Sequence, residues 1–178
     1  MGQLTRTIAL VGMMGAGKSA IGRRLATRLG VAFFDADNAI ESAAGRPIPE
    51  IFAAYGEAAF RDCERKVIAR LLTEKPPHVL ATGGGAFMAE DTRDALKQRA
   101  VTVWLRASLD ILFARVKRKS NRPLLQTEDP RGTLAQLLAE REPIYGLADI
   151  IVDSEDAPHT VTVDRLLTTL TETGIWLP

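Results

Sequence analysis

The stretch that most constrains this fold is GMMGAGKS, residues 12–19, which carries three glycines and one lysine in eight positions. It matches G-x-x-x-x-G-K-[ST], the pattern of a phosphate-binding loop. An apolar run precedes it, and a helical pattern follows it. Gly12, Gly15 and Gly17 let successive backbone N–H groups turn inward around phosphate oxygens, which a Cβ would obstruct. The motif in this context predicts a nucleotide-binding α/β protein.

Short apolar runs alternate with longer amphipathic stretches along the rest of the chain. The predicted strands are 7–11, 31–34, 78–81, 101–105 and 149–152, and the predicted helices include 18–29, 57–72, 109–118, 133–142 and 159–170. This alternation predicts a three-layer α/β/α fold, with a parallel sheet between two layers of helices. Residues 37–64 and 117–130 interrupt it. Because open α/β proteins bind ligands beyond the carboxyl ends of their strands, both interruptions are candidate ligand-binding segments.

Size and charge narrow the function class. With 178 residues, the chain is long enough for one sizeable core but short for two, so we expect a single domain, 1–178. The 23 basic and 22 acidic residues nearly cancel, so no bulk field favours a nucleic acid or a membrane surface as partner. No window approaches the roughly 18 apolar residues of a membrane span, so we expect a cytoplasmic protein.

The chain has few residues for thiol or imidazole chemistry. Cys63 is the only cysteine, which excludes a disulfide framework and a cysteine-based metal site within one chain. His78 and His159 are the only histidines and lie far apart, which disfavours a histidine metal site and a Ser-His-Asp triad. We expect Cys63 to be a small apolar residue on a helix and both histidines to be ordinary surface or loop residues.

The phosphate-binding loop suggests roles for the residues at its end. Lys18 would contact the β- and γ-phosphates, and the Ser19 hydroxyl would hold Mg²⁺ at the positive end of the following helix. A switch GTPase would carry an N-K-x-D segment, which this sequence lacks, and a mechanical ATPase would normally be larger. The pattern therefore favours a small kinase.

A pair of carboxylates follows the second predicted strand, in FFDAD. Asp35 and Asp37 are two residues apart, so both side chains would face the same side while the chain stays extended. One could orient the water shell of Mg²⁺, and the other could accept a proton from an attacking hydroxyl. In the alternative interpretation, Asp37 only caps the following helix.

Three consecutive glycines follow the third predicted strand. Gly83, Gly84 and Gly85 could bring backbone N–H groups close to a small polar ligand, whereas a plain turn is the alternative.

Two arginines are candidates for holding an anionic acceptor. Arg61 lies one helical turn before Glu64, and Arg141 lies in AEREPIY. A solvated ion pair for Arg61 and a surface position for Arg141 are the ordinary interpretations. A planar guanidinium nevertheless binds a carboxylate with two hydrogen bonds, so two converging arginines would select an acidic acceptor.

The segment RVKRKSNR, residues 115–122, holds five cations in eight positions. A nucleic-acid surface is the alternative, but aromatic residues are not interleaved with these cations. A lid that closes over the phosphates of ATP explains the cluster better, because phosphoryl transfer benefits from cations delivered as water is excluded. Arg122, fixed by the following proline, is the first candidate for a cation that points inward.

Taken together, these motifs resemble the shikimate kinase family over residues 9–153. The resemblance is carried, in order, by GMMGAGKSAIGRRLA, FFDADNAIE, GRPIPEIFAAYGEAAFRDCE, TGGGA, NRPLL and REPIY. It implies the nucleoside monophosphate kinase fold, with a five-stranded parallel sheet in order 2-3-1-4-5. It also implies transfer of the γ-phosphoryl group of ATP to the 3-hydroxyl of shikimate, a step towards chorismate and the aromatic amino acids.

The resemblance implies roles for individual residues. Asp37 binds the shikimate hydroxyls and is the catalytic base, acting with Lys18 and Arg122. Arg61 and Arg141 hold the shikimate carboxylate, Gly83 to Gly85 line the ring, and Glu64 positions Arg61 or a water. Ser19 and Asp35 support Mg²⁺, and Arg115 stacks on adenine. The residues expected to contact ATP are Gly12, Gly15, Ala16, Gly17, Lys18, Ser19, Ala20, Arg115, Arg122 and Pro158.

The resemblance further implies a shikimate-binding segment, 36–64, and a lid, 115–130. We also expect a monomer. One departure is visible after the last predicted strand, where DSEDAPHTV is acidic while many relatives carry basic residues. Two alternatives stay open: another small-metabolite kinase, such as one for gluconate, and a non-catalytic nucleotide-binding module.

Overall fold

A computed structural model describes residues 1–74, 77–118 and 126–178. In those residues the strands are β1 Gln3–Leu4, β2 Thr7–Val11, β3 Phe33–Asp35, β4 Val79–Ala81, β5 Ala100–Arg106, β6 Ile150–Asp153 and β7 Trp176–Leu177. The α-helices are α1 Lys18–Leu29, α2 Ala36–Ala44, α3 Ile48–Leu71, α4 Glu90–Arg99, α5 Leu109–Val116, α6 Pro130–Tyr145 and α7 His159–Glu172, with a 3₁₀ turn at Ala86–Met88.

Five parallel strands form the main sheet in the order β3-β4-β2-β5-β6. Numbered along the chain within this sheet, that order is 2-3-1-4-5, so the predicted fold class is confirmed. Ile8 of the central strand pairs with Val79 on one side and with Val101 on the other. All five residues of β2 are buried, although alternate side chains point to opposite faces, so helices cover the sheet on both sides.

Helix α1 has the bounds predicted from the sequence because both of its ends are set by glycine. Gly17 precedes it with φ 93°, and Gly30 ends it with φ 66°, a left-handed conformation that favours glycine. Ile21, Leu25 and Leu29 form its buried face. The helix is thereby fixed with its N-terminus at the phosphate-binding motif.

Helix α3 is two helices joined at a break. Gly56 has φ 82° and ψ 174°, outside the helical region, so the second half begins at Glu57, where the sequence predicted a helix start. That second half carries Arg61 and Glu64. The first half lies within residues 36–64, the predicted ligand-binding segment. The second half continues beyond it and packs on the core through Val67 and Ile68.

A second, antiparallel sheet was not predicted. β1 pairs with β7, with Gln3 opposite Leu177 and Leu4 opposite Trp176. The Thr5 N–H also donates to the carbonyl oxygen of Ile175 at 3.0 Å. The sequence segment TGIWLP is therefore a paired element rather than a loose tail.

His78 lies in the loop just before β4, one of the two places expected for it, but it is buried rather than at the surface, and the expectation for Cys63 holds. His78 is 1% exposed, and its ring packs edge-on against Phe34 with centroids 4.8 Å apart. Cys63 lies half-buried on α3 against the core. Within the described residues, no helix is both long and apolar enough to cross a membrane.

Candidate active site

A pocket of about 370 Å³ opens at the carboxyl ends of β2, β3 and β4. Ten of the residues predicted to bind ligands line it together: Gly15, Gly17, Lys18, Ser19, Ala20, Asp35, Asp37, Gly83, Gly84 and Arg115. The remaining walls include Met14, Thr82, Val116, Arg118 and His159. The pocket therefore brings the phosphate-binding loop and the acidic and glycine motifs to one place.

The loop between β2 and α1 depends on its glycines. Gly12, Gly15 and Gly17 all have positive φ, at 143°, 84° and 93°. A Cβ on Gly12 would also lie 2.8 Å from the carbonyl oxygen of Leu105, so this residue is packed behind the loop. Ala16, which is fully buried, lies behind the loop as well. Gly12 and Ala16 thus shape the predicted phosphate cradle, while Gly15 and Gly17 line it.

Two cations hold the carbonyl oxygens of this loop. The Lys18 ammonium donates to the carbonyls of Gly12 at 2.6 Å and Met13 at 2.9 Å. Arg115 donates from Nη1 to the carbonyls of Gly15 and Ala16, each at 3.2 Å. The loop is therefore held in shape by Lys18 and Arg115, both of which also line the pocket.

Asp35, rather than Asp37, caps helix α2. The Asp35 carboxylate accepts the Asn38 N–H at 3.2 Å and the Ser19 hydroxyl at 2.6 Å. β3 ends at Asp35 and α2 begins at Ala36, so the chain does not stay extended through Asp37. The alternative of Asp37 as the cap is wrong, and so is the extended geometry expected for the pair. Both carboxylates still reach the pocket, because the turn into the helix directs them there.

The Ser19–Asp35 pair fits the chemistry of Mg²⁺. A hydroxyl and a carboxylate are hard oxygen ligands, and Mg²⁺ at a nucleotide site usually takes one or two protein ligands plus phosphate and water oxygens. The described ranges contain no group of three metal-ligating His, Cys, Asp or Glu side chains. A magnesium ion shared with a bound nucleotide needs no such group.

Asp37 and Glu64 meet at the first of the three glycines. A Cβ on Gly83 would lie 2.9 Å from Oδ1 of Asp37 and 3.1 Å from Oε2 of Glu64. Side chains from α2 and α3 therefore close on this backbone, and only glycine leaves them room. The plain-turn interpretation of the triple glycine does not account for this close approach.

Glu64 is buried, so the solvated ion pair expected as the ordinary interpretation is wrong. Its side chain is 2% exposed, and Oε1 accepts a hydrogen bond from Nη1 of Arg61 at 2.9 Å. Burial raises the pKa of Glu64, and the Arg61 charge opposes that shift. Oε2 is shielded from solvent and has no hydrogen-bond partner in the described part of the chain. Glu64 thus fixes Arg61 and presents a second oxygen next to Gly83.

Both candidate arginines contact the glycine turn. A Cβ on Gly85 would lie 2.8 Å from Cζ of Arg61, and one on Gly84 would lie 3.4 Å from Nη1 of Arg141. Arg141 Nη1 also lies 3.7 Å from the sulfur of Met13 in the phosphate-binding loop. Residues distant in sequence, on α3 and α6, therefore place two guanidinium groups against one backbone segment.

Tyr145 is a site-supporting residue that sequence reasoning missed. It is fully buried, and its hydroxyl donates to the carbonyl oxygen of Gly84 and lies 3.6 Å from the Met13 sulfur. Burial raises the pKa of Tyr145 to about 12, so it stays a hydrogen-bond donor. Its spacing of four residues from Arg141 on α6 was the available signal, since such residues share a helix face.

The residues around the start of α7 differ from the expectations. Pro158 is exposed, precedes α7 and is not among the described pocket residues. Its neighbour His159, expected to be an ordinary residue, lines the pocket instead. Arg122 and the central lid residues, 119–125, lie outside the described residues.

Comparisons with known proteins agree on one family. The family model described as shikimate kinase matches residues 14–171. A shikimate kinase from Rhodopseudomonas palustris is 56% identical over 165 residues, which cover 93% of this chain and 81% of the relative. One from Nitrobacter winogradskyi is 59% identical over 162 residues, which cover 91% of this chain and 75% of the relative.

Solved structures give the same result. Shikimate kinase from Acinetobacter baumannii, in complex with shikimate, matches with a TM-score of 0.91 and 39% identity over 96% of both chains. A gluconokinase from Sinorhizobium meliloti 1021 matches with a TM-score of 0.62 and 19% identity over 96% of this chain and 98% of that one. The second likeness shows a shared fold only.

Proposed function

This chain belongs to the shikimate kinase family, and on that premise we propose that it transfers the γ-phosphoryl group of ATP to the 3-hydroxyl of shikimate. The products are shikimate 3-phosphate and ADP, in the route to chorismate and the aromatic amino acids. One observation carries the proposal: Asp37, Arg61 and Arg141 all meet the glycine turn 83–85, which opens into the pocket that contains Lys18.

The donor side of the pocket, which binds ATP as the phosphoryl donor, is built mainly from backbone groups. The loop amides and the N-terminus of α1 bind the phosphates, and the Lys18 ammonium moves from the loop carbonyls to the β- and γ-phosphate oxygens. Ser19 and Asp35 are the residues that would hold Mg²⁺. When bound, Mg²⁺ supplies positive charge to the phosphate oxygens during transfer.

The acceptor side of the pocket, which binds shikimate as the phosphoryl acceptor, is built mainly from side chains. Arg61 and Arg141 bind the shikimate carboxylate, and their convergence on one turn supports a single anionic group between them. The Asp37 carboxylate binds the ring hydroxyls and accepts the proton of the attacking hydroxyl. Gly83 to Gly85 line the ring, and Glu64 keeps Arg61 in place. Catalysis by this site consists mainly of positioning and electrostatic stabilisation.

The proposal also includes a lid, 115–130, whose Arg122 contacts the transferring group, as the cation cluster of 115–122 and the family resemblance both suggest. The family resemblance adds the stacking of adenine on Arg115 beside Pro158. A single domain over 1–178 with a shikimate-binding segment, 36–64, is also proposed, as are a monomeric state and a cytoplasmic location. No nucleic-acid or membrane partner is expected.

A coupled assay of ADP release tests the function directly. ATP and Mg²⁺ are supplied together with shikimate, gluconate or a nucleoside monophosphate. Of these three acceptors, we expect only shikimate to give turnover. Turnover with gluconate instead would favour the related small-metabolite kinase, which the structural likeness at 19% identity does not support beyond the fold. Nucleotide binding without any transfer would favour a non-catalytic module.

A further inference from the structure

Ser154 is a buried polar residue that none of the roles above uses. It directly follows β6 and is 2% exposed. Its backbone N–H donates to the carbonyl oxygen of Arg106 at 2.7 Å, which continues the pairing of β6 with β5 one residue beyond the end of the strand. The position of Ser154 is therefore fixed by the main sheet.

The Ser154 hydroxyl contacts the phosphate-binding loop at its fully buried residue, Ala16. Oγ of Ser154 donates to the carbonyl oxygen of Ala16 at 3.3 Å and accepts a hydrogen bond from Nη1 of Arg115, also at 3.3 Å. Nη1 of Arg115 donates to the same Ala16 carbonyl at 3.2 Å, and Nη2 donates to the carbonyl oxygen of Glu155 at 3.0 Å. The hydroxyl and the guanidinium therefore hold one loop carbonyl between them, and the guanidinium is itself bonded to the segment after β6.

This contact sets the direction of the next backbone amide. A trans peptide group is planar, and its C=O and N–H point in opposite directions. No peptide bond among the described residues is cis. Because the Ala16 carbonyl is turned towards Ser154 and Arg115, the N–H of Gly17 in the same peptide group points away from them. Gly17 lines the pocket, so its N–H faces the pocket.

An amide that is held in this direction is a better phosphate ligand than a free one. The N–H groups at the start of a helix have no partner within the helix, and Gly17 is the residue directly before α1. A donor that is ordered before the ligand arrives binds more tightly, because no ordering entropy is lost on binding. The positive guanidinium on the carbonyl also polarises the peptide group, which strengthens its N–H as a donor.

We propose that Ser154 is a positioning residue for ATP. Together with Arg115, it fixes the peptide group between Ala16 and Gly17 so that the Gly17 N–H binds a phosphate oxygen. This inference rests on the proposed function, because it takes ATP as the pocket's donor substrate. Ser154 acts through the loop rather than by touching the nucleotide. Its effect therefore depends on the phosphates, and neither the nucleoside nor shikimate is involved.

Calorimetric titration of the full chain with ADP and Mg²⁺, and with inorganic tripolyphosphate, tests this role. Ser154→Ala should weaken binding of both ligands by the same factor, about 3- to 10-fold, the effect of one neutral hydrogen bond, and leave shikimate affinity unchanged. Ser154→Thr and Ser154→Val add similar bulk, but only Ser154→Thr keeps the hydroxyl, so it should bind both phosphate ligands more tightly than Ser154→Val. Thr171→Val is the matched control and should change no affinity, because it removes an exposed hydroxyl that donates within α7 to Leu167.

The outcomes separate a positioning role from a structural one. Unchanged affinities in Ser154→Ala would overturn the inference even if urea denaturation showed the variant to be less stable, since a purely structural role lowers stability alone. Weaker ADP binding with full tripolyphosphate binding would overturn it as well, because that pattern belongs to a nucleoside contact. Equal affinities in Ser154→Thr and Ser154→Val would deny that the hydroxyl is responsible. The proposed function fails separately, if the wild-type chain binds neither phosphate ligand or releases no ADP with shikimate.

Discussion

The two halves of the pocket are held together in different ways. On the donor side, one continuous stretch from β2 into α1 forms the cradle, and its shape depends on positive-φ glycines and on hydrogen bonds to its own carbonyls. On the acceptor side, α2, α3 and α6 each contribute a side chain to the glycine turn after β4. The donor half is a local structure, whereas the acceptor half exists only once four distant segments have packed.

Because the two halves are built differently, a substitution in one half should affect mainly the ligand bound by that half. A change in the acceptor half should leave the donor loop intact, because Lys18 and Arg115 hold its carbonyl oxygens from the donor half. The Met13 sulfur, which lies near both Arg141 and Tyr145, is one direct contact between the halves among the described residues. Measuring both substrates for each variant therefore tests how independent the halves are.

The largest expected effect comes from Asp37→Asn. Removal of the carboxylate that accepts the hydroxyl proton should lower kcat by roughly 100-fold or more, the scale of general-base effects. ADP affinity should stay near that of the wild type, because the Ser19 hydroxyl donates to Asp35. Shikimate-dependent ADP release and a separate ADP titration measure the two quantities. Near-normal turnover would reject Asp37 as the base.

Arg61→Ala and Arg141→Ala should each weaken shikimate binding while sparing ATP. Loss of one charge-assisted contact is expected to cost about 1.5–3 kcal/mol, roughly 10- to 150-fold in affinity. Titrations of shikimate and of ADP measure the effect on each half of the pocket. Arg65→Ala, on the same helix but bonded to Asp62, should change neither. Equal loss of both ligands would show that these arginines do not belong to the acceptor half alone.

Tyr145→Phe should lower the stability of the fold rather than the rate of the chemical step. It leaves the Gly84 carbonyl without its tyrosine donor in a buried site, which should lower the free energy of unfolding by about 1–3 kcal/mol. Urea denaturation measures this, with Tyr55→Phe, at a residue that is 61% exposed, as the control. A variant as stable as the wild type would mean that this hydrogen bond does not support the turn.

The smallest effect is a pH dependence at Glu64. Burial raises the pKa of this carboxyl above 4.5, so the folded chain holds the proton more tightly than the unfolded chain does. The contribution of Glu64 to stability is therefore fully present below that value and is lost as the pH rises through the raised pKa. Glu64→Gln cannot titrate. The free energy of unfolding of the variant, relative to the wild type, should therefore increase as the pH is raised above about 4.5 in urea titrations. A constant difference would mean that Arg61 cancels the burial effect.

Elements formed by residues close together in the sequence were predictable from it. Contacts between distant segments were less predictable. The bounds of α1 follow from Gly17 and Gly30, and the strand order of the main sheet followed from the family resemblance. The β1–β7 pair was missed because strands of two residues leave almost no periodicity.

Errors in the site have physical causes. The turn at Asp35 was missed because alternation of side chains applies only while a strand continues, and β3 stops one residue before Ala36. His159 was misjudged because a lone histidine near the end of a polar loop carries no pattern that reports burial. Its environment depends on α7 packing beside Gly17, a contact between opposite ends of the chain.

The pairing of β1 with β7 makes the two tryptophans useful as separate optical reporters. Trp104 packs beside the phosphate-binding loop, with Cδ1 3.3 Å from where a Gly12 Cβ would lie, whereas Trp176 sits in the small antiparallel ribbon. That ribbon joins segments separated by nearly the whole chain, so its closure carries a large loop entropy and should come late in refolding. Fluorescence from single-tryptophan variants would then time the closing of the ribbon apart from the ordering of the nucleotide site.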